Sequence, residues 1–422
     1  MDQVETVFRV TDVVDEIFEA AEKSRIFRDR EKLLPDYVPE ALPHRDEEIK
    51  RLALVLAPSL RGEKPNNVFI YGLTGTGKTA VTRLVLRKLV ERASKKGVRV
   101  VPVYVNVRHR DTPYRVIADI AEGVGLRVPF TGLSVGEVYR RVVDRLNRRP
   151  RVYIVVLDEI DFLVRKHGDD LLYKLTRINE DLSRSRVSLI GITNSTTLID
   201  TLDPRVKSSL GEEEIVFPPY NAEQLRDILE ERSREAFYPD VLDAEVIPLC
   251  AALAAREHGD ARRALDLLRV AGEIAERRGE SIVTKSHVLA ARMEIEKDRV
   301  AEVVKTLPLH GKLVLAATTI VTMGGRQRAT TGEVYDEYRR LVSEAALEEV
   351  TFRRVSGIIA ELDMLGILRT RTISRGRYGK TRIIELAADP QAIIGVLSND
   401  LELEELRELL EERIIGSRNR LR

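Results

Sequence analysis

The stretch Asn67 to Thr82, NVFIYGLTGTGKTAVT, limits what this chain can fold into more than any other. An apolar run, Val68 to Tyr71, leads into G-x-x-x-x-G-K-[ST], with Gly72, Gly77, Lys78 and Thr79 at the set positions. Ala80 to Arg92 then carries apolar residues at helical spacing. Strand, glycine-rich loop and helix in this order form a phosphate loop. The loop residues Gly72, Thr74, Gly75, Thr76, Gly77 and Ala80 are the candidate phosphate cradle. Glycines let successive backbone N–H groups turn inward onto phosphate oxygens, and the helix N-terminus adds its positive dipole end. Lys78 is placed to meet the β- and γ-phosphates and Thr79 to ligate Mg²⁺, so ATP or ADP with Mg²⁺ is the expected ligand.

At 422 residues the chain is too long for one ordinary core, and two or three domains are expected. Lys+Arg number 69 and Asp+Glu 68, so any polyanion must be met by local basic patches. The single cysteine, Cys250, lies in an apolar helical pattern, which excludes an intramolecular disulfide and an all-cysteine metal site. Neither a signal peptide nor a bilayer-spanning run is visible, so an intracellular, soluble protein is expected, with no membrane partner. The high charge content with only 4 Met and no Trp leans toward a heat-adapted source.

Prolines 35, 39 and 43 give residues 1–45 an extended, clamped arm before a helix restarts near Arg45. Such an arm is suited to lie against a purine base through apolar contacts. Arg99 to Val107 reads as a second buried strand, and Thr112 as the cap of a helix beginning at Pro113. A further helix spans Ser134 to Asn147, and the strand in RVYIVVLDEIDFL ends in Asp158 and Glu159. Downstream of a phosphate loop, Asp158 is the candidate Mg²⁺ ligand and Glu159 the candidate general base for the attacking water. Asp169 to Leu182 is expected as one amphipathic helix and Val187 to Ile192 as a strand. Asn194, at that strand's tip, is a candidate to orient the water, and Arg205 to reach another subunit's γ-phosphate.

Pro218-Pro219 marks a boundary. Residues 221–298 read as all-helical, with helices Ala222–Glu235, Ala244–Glu257, Ala261–Arg278 and Lys285–Asp298. Arg262 and Arg263 stand at a helix start, where a cation opposes the dipole and hints at an anion facing it. Residues 299–422 show helices Leu309–Val321, Thr331–Ala345 (capped by Thr331) and Thr351–Met364, then strands Ile367–Ile373 and Thr381–Leu386. Three helices and a two-stranded ribbon are the layout of a winged helix-turn-helix. The third helix carries Arg353, Arg354 and Ser356 as candidate base-edge readers. The ribbon tip holds Arg375, Arg377, Tyr378 and Lys380, and every charged residue from Arg369 to Arg382 is basic. That cluster is the clearest nucleic-acid footprint in the chain.

With these motifs in place, the chain resembles the archaeal AAA+ replication initiators related to the origin recognition complex and to cell division control protein 6. The resemblance runs from about Phe27 to about Leu386 and rests on YVPEALPHRDEEI, GLTGTGKT, DTPYRVIADIAEGVG, VVLDEID, GITNS, DPRVKSSL, HGDARRALDLL and the basic wing. It implies an α/β AAA+ ATPase base at 1–220, a helical lid at 221–298 and a winged-helix DNA-binding domain at 299–422. It implies that Asn194 and Arg262 are the two nucleotide sensors, that Tyr220 joins the nucleotide contacts, and that Arg205 is the finger position. It makes 108–126 an initiator-specific insertion whose Arg110, Thr112, Tyr114 and Arg115 contact duplex DNA. Ser209 stands where relatives often carry a second arginine. The function so implied is an ATP-dependent initiator that binds origin duplex DNA, hydrolyses ATP slowly and helps load the minichromosome maintenance helicase. Paralogous initiator subunits are implied as further partners, and the location is cytoplasmic, on the nucleoid. A clamp-loader-like remodeller and a winged-helix transcriptional regulator are the alternatives. Comparing origin with random DNA at fixed salt discriminates, since a remodeller should show no origin preference.

Overall fold

The structure is a computed structural model and describes residues 24–35, 37–110, 112–129, 131–195, 197–323, 328–374 and 380–400. It divides into two compact units, Met1–Val288 and Leu289–Arg422. The long helix Lys285–Thr306 gives its first turn to one unit and the rest to the other.

In the first unit, five parallel strands stand in the order β2-β3-β4-β1-β5, with β1 Val68–Gly72, β2 Val100–Asn106, β3 Val152–Asp158, β4 Arg186–Thr193 and β5 Glu213–Phe217. Strand alternation sorts their side chains onto two faces. Val68, Ile70, Ile154, Val156, Ile190, Ile192, Ile215 and Phe217 meet helices α1 (Asp46–Leu56) and α2 (Lys78–Lys95) on one face. Phe69, Val103, Val105, Tyr153, Val155, Leu157, Val187 and Leu189 meet the other, against α3 (Pro113–Gly123) and α4 (Val135–Leu146). Because both faces are covered, β3 is buried along its whole length. The carboxyl ends of β1, β3 and β4 therefore deliver Gly72, Asp158 and Thr193 to one edge of the sheet.

After β3 come α5 (Ile160–His167) and α6 (Asp170–Thr176). The single helix expected from Asp169 to Leu182 is not formed. It ends at Thr176 and passes into a 3₁₀ turn, Ile178–Glu180. Asn179 draws the chain aside: its amide donates to the Val187 carbonyl (2.7 Å) and accepts from the Val187 N–H (2.9 Å). An asparagine that satisfies a neighbouring strand in this way competes with helix continuation. Short helices α7 (Leu198–Thr201) and α8 (Pro204–Leu210) precede β5.

The lid helices follow: α9 (Ala222–Ala236), α10 (Val246–Arg256), α11 (Ala261–Arg277) and the start of α12 (Lys285–Thr306). Asn221 and Gln224 form a reciprocal capping box at α9. Cys250 is fully buried on α10, and burial pushes its thiol up to about 12, so it packs and does not react.

The second unit holds α13 (Leu309–Val321), α14 (Thr331–Glu344), α15 (Phe352–Met364), β7 (Leu368–Ser374) and β8 (Lys380–Leu386). The expected cap shifts by one residue. Thr330, not Thr331, accepts from Glu333 N while the Glu333 carboxylate accepts from Thr330 N (2.8 Å). Two elements lie outside the sequence reading. Ala329–Thr330 forms β6, which turns the ribbon into a three-stranded sheet in the order β6-β8-β7, and Pro390–Leu397 forms α16. Among the described residues no helix is long and apolar enough to cross a membrane.

Candidate functional site

At the carboxyl edge of the parallel sheet the phosphate loop opens a pocket closed by the arm and the lid. Its lining includes Leu34, Tyr37, Val38 and Leu42 from the arm, and Gly75 to Ala80 from the loop. Asp158, Glu159 and Asn194 come from strand ends, and Tyr220, Ile228, Arg232, Arg262 and Leu265 from the hinge and lid. The arm and lid supply apolar walls and the loop supplies backbone N–H groups, a division suited to a nucleotide's base and phosphates.

Lys78 is 5 % exposed, and its ammonium donates to the carbonyls of Gly72 and Leu73, both at 2.7 Å. Burial pushes it down to about 8, with Arg262 pushing the same way against Asp158, Asp260 and Glu159. Thr79 Oγ1 donates to Asp158 Oδ2 at 2.8 Å, and Tyr104 from β2 donates to the same oxygen. Burial, then the neighbouring Asp158, raise the Tyr104 phenol, so it remains a donor. A hydroxyl and one carboxylate fit Mg²⁺, which takes few protein ligands and completes its shell with water and substrate phosphates.

Glu159 sits at φ 60°, a conformation rare for a side-chain-bearing residue, at the turn from β3 into α5. Its Oε2 is buried without a hydrogen bond; the nearest cation, Arg108 Nε, is 3.9 Å away. Burial raises its pKa, opposed mainly by Arg108. A carboxylate held at unusual cost, with an unused buried oxygen and a raised pKa beside a phosphate loop, is equipped for general-base work. Behind it, Thr193 donates to Asp161 (2.8 Å), which fixes the strand tip that carries Asn194.

Two expected cradle residues stand outside the pocket. Thr74 is exposed at the loop's crest and does not line it. Gly72 is buried against β5, where a Cβ would come within 2.4 Å of the Phe217 carbonyl. Its glycine therefore serves strand packing, although its carbonyl holds Lys78. Gly75, at φ +71°, touches the lid: a Cβ there would fall 1.7 Å from Asp260 Oδ1, and its carbonyl accepts from Ala261 N (3.1 Å). Asp260 in turn caps α11 by accepting from the N–H groups of Arg262 and Arg263. The start of the lid helix is thus seated directly on the phosphate loop, with Arg262 facing the pocket.

Arg45, which lies in the YVPEALPHRDEEI motif but has no role assigned to it from sequence, holds this corner together. It is 1 % exposed. Its guanidinium donates to Thr76 O (2.9 Å) and Pro218 O (2.6 Å), and its Cζ lies 3.7 Å from the centre of the Tyr220 ring. Arg205 lies on the surface, paired with Asp203 at 3.0 Å and 4.9 Å over the Tyr173 ring. It is outside the pocket of its own chain.

In the insertion, Thr112 caps α3 by accepting from Arg115 N (3.3 Å), and Arg115 is exposed. Tyr114 is half-buried against the α3–α4 core, and its hydroxyl donates to Pro129 O. Arg110 is bound to Asp119. In the second unit, Thr351 caps α15, and the side chains of Arg353 and Arg354 are exposed on its first turn. Arg354 reaches Glu361 at 2.9 Å, and Arg353 has no hydrogen-bond or ion-pair partner among the described residues. Ser356 is half-buried, and its carbonyl accepts from Arg382 on β8 (3.1 Å), tying the helix to the ribbon. Arg375, Arg377 and Tyr378 lie outside the described residues, and Lys380 opens β8.

Comparison with known proteins agrees with this architecture. Residues 61–199 match the model of an AAA domain, 226–293 that of the Cdc6 AAA+ ATPase-type lid domain, and 302–396 that of the CDC6 C-terminal winged helix domain. The ORC1-type DNA replication protein 1 of Aeropyrum pernix is 66% identical over 389 residues, covering 92% of this chain and 98% of that protein. The ORC1 protein of the same organism, solved in complex with DNA, superposes with a TM-score of 0.81 over 91% of this chain and 100% of its own at 65% identity. Cdc6p from Pyrobaculum aerophilum, at 25% identity, covers 93% and 99% with a TM-score of 0.56. With an AAA+ base, a Cdc6-type lid and a winged helix in one chain, and a curated relative matched along nearly its full length, this chain belongs to the ORC1/Cdc6 family of DNA replication initiators.

Proposed function

We propose that the chain is an ATP switch that binds origin duplex DNA and helps recruit the minichromosome maintenance helicase. The observation that carries this reading is the seating of the lid on Gly75. One pocket is bounded by the arm, the phosphate loop and the lid together, so a nucleotide's phosphates lie where the two halves of the ATPase module touch. In this reading Gly75 to Ala80 cradle the phosphates, and Lys78 exchanges its two carbonyl partners for phosphate oxygens. Tyr220 and the arm flank the base, and Arg262 contacts phosphate from the lid. Thr79 and Asp158 would hold Mg²⁺, whose charge offsets that of the phosphates. Glu159 takes the proton of the attacking water, and Asn194 orients that water. Hydrolysis is slow, because Arg205 is engaged with Asp203 in its own chain and Ser209 supplies no second cation.

The reading of the DNA contacts is supported by the relative solved with DNA and by the exposed cations of α15. Arg353, Arg354 and Ser356 meet base edges, while Arg375, Arg377, Tyr378 and Lys380 meet the backbone or minor groove. The insertion, with Arg110, Thr112, Tyr114 and Arg115, makes the second contact; Arg110 and Arg115 are its exposed members. Base, lid and DNA-binding domain correspond to 1–220, 221–298 and 299–422, and the protein works in the cytoplasm on the nucleoid, alongside paralogous subunits. The test is binding of the full chain to its own origin duplex and to random duplex at fixed salt, with ATP and with ADP. A specific initiator prefers its origin by roughly 10³-fold or more, and the two nucleotides give different affinities. Equal binding to both DNAs with either nucleotide would sink the proposal.

A further inference from the structure

Tyr104 is not part of the phosphate loop, the acidic strand end or either sensor, yet it touches the carboxylate on which the metal reading depends. It stands on β2 in register with Val156 on β3, so its side chain leaves the same face of the sheet as Asp158. The ring is half-buried beside α2, where the Arg83 guanidinium lies 4.7 Å from its centre. Its hydroxyl donates to Asp158 Oδ2, the atom that also accepts from Thr79. Two hydroxyls from two different elements thus converge on one carboxylate oxygen.

We propose that Tyr104 is a positioning residue for the metal-holding pair Thr79–Asp158. The inference rests on the metal reading of that pair and adds a residue to it. A carboxylate at the end of a strand rotates about two side-chain bonds. One donor from α2 leaves it free to swing about that contact, whereas a second donor from β2 fixes its plane. The Thr79 proton is then committed to Asp158, and the hydroxyl's lone pairs remain for a cation. Outer partners of this kind orient metal ligands, and their removal costs roughly 10–100-fold in metal affinity. The Arg83 guanidinium over the ring holds the phenol against rotation away from the carboxylate.

The test uses the full chain and a fluorescent ATP analogue. Nucleotide affinity is measured in EDTA, and Mg²⁺ is then titrated at fixed nucleotide. Tyr104→Phe keeps the ring and removes only the hydroxyl. The expected result is an Mg²⁺ midpoint raised about 10–100-fold, with the affinity in EDTA and the melting temperature unchanged. Asp158→Asn is measured beside it and should abolish the gain in affinity that Mg²⁺ confers. A Tyr104→Phe midpoint within twofold of wild type, beside a strongly affected Asp158→Asn, overturns the role of Tyr104 alone. An Asp158→Asn protein with a wild-type Mg²⁺ response overturns the metal assignment and the proposal with it. Equal weakening of Tyr104→Phe in EDTA and in Mg²⁺ marks a structural role and overturns the proposal as well.

Discussion

The nucleotide site and the winged helix use cations in opposite ways. Around the phosphate loop Lys78 and Arg45 are 5 % and 1 % exposed, and each is held by backbone carbonyls in one orientation. On α15, Arg353 and Arg354 stand in solvent, one tied only to a glutamate of its own helix. A buried cation pays for desolvation beforehand and is preorganised for one compact anion. A solvated cation keeps its rotamer freedom and gains by displacing counterions from a polyanion. The first arrangement yields a site whose response is steep in chemistry and weakly dependent on salt; the second yields the reverse.

The comparison breaks most visibly at Glu159. Glu159→Gln should leave ATP affinity near wild type and cut turnover by about 10²–10⁴-fold, as expected for loss of a general base. Single-turnover hydrolysis at the wild-type rate would give Glu159 another job. Lys78→Ala removes the buried ammonium of the phosphate loop, and with it charge-assisted contacts of about 1.5–3 kcal/mol each. ATP affinity should fall by roughly 100-fold, and calorimetry showing wild-type binding would remove the phosphate site from this loop.

On the DNA side, Arg353→Ala or Arg354→Ala should lower the origin-to-random ratio by about 1–3 kcal/mol and hardly move the salt slope. Neutralising Arg375, Arg377 and Lys380 together should weaken binding to all DNA and lower that slope by up to about 3. If the wing variant instead loses origin preference at an unchanged slope, the ribbon is the base reader. The smallest effect is in pH. Burial disfavours the charge of Lys78 and pushes it down from its ordinary 10.5 to about 8. Phosphate binding needs the ammonium form, so affinity should be level below pH 8. Above it, affinity should fall by about tenfold per unit as a proton must be taken up. A flat profile from pH 7 to 9.5 would show that Lys78 stays charged without ligand.

Much of the phosphate site could be read before the fold, because its groups lie within a few residues of one another. The spacing from Gly72 to Thr79 is local, and so is the apolar strand that ends at Asp158 and Glu159. The third helix and the ribbon were legible for the same reason, each being a periodic run with its own turn signals. Harder to see were elements too short to show a period, such as β6 at Ala329–Thr330, and the break in the helix after Thr176, where Asn179 bonds to a strand not yet formed.

By itself, then, the sequence determined the strand–loop–helix units, their alternating apolar faces and the identity of the reactive groups, since propensity and periodicity act over neighbouring residues. The tertiary structure alone decided what those groups touch. Arg45 reaches Thr76 and Pro218, Tyr104 reaches Asp158, and Gly75 meets Asp260, across separations of 31, 173 and 54 residues for the three hydrogen bonds among these pairs. No local pattern encodes such meetings. They exist because a parallel sheet brings the carboxyl ends of strands distant in sequence to one edge, and because the lid closes on that edge.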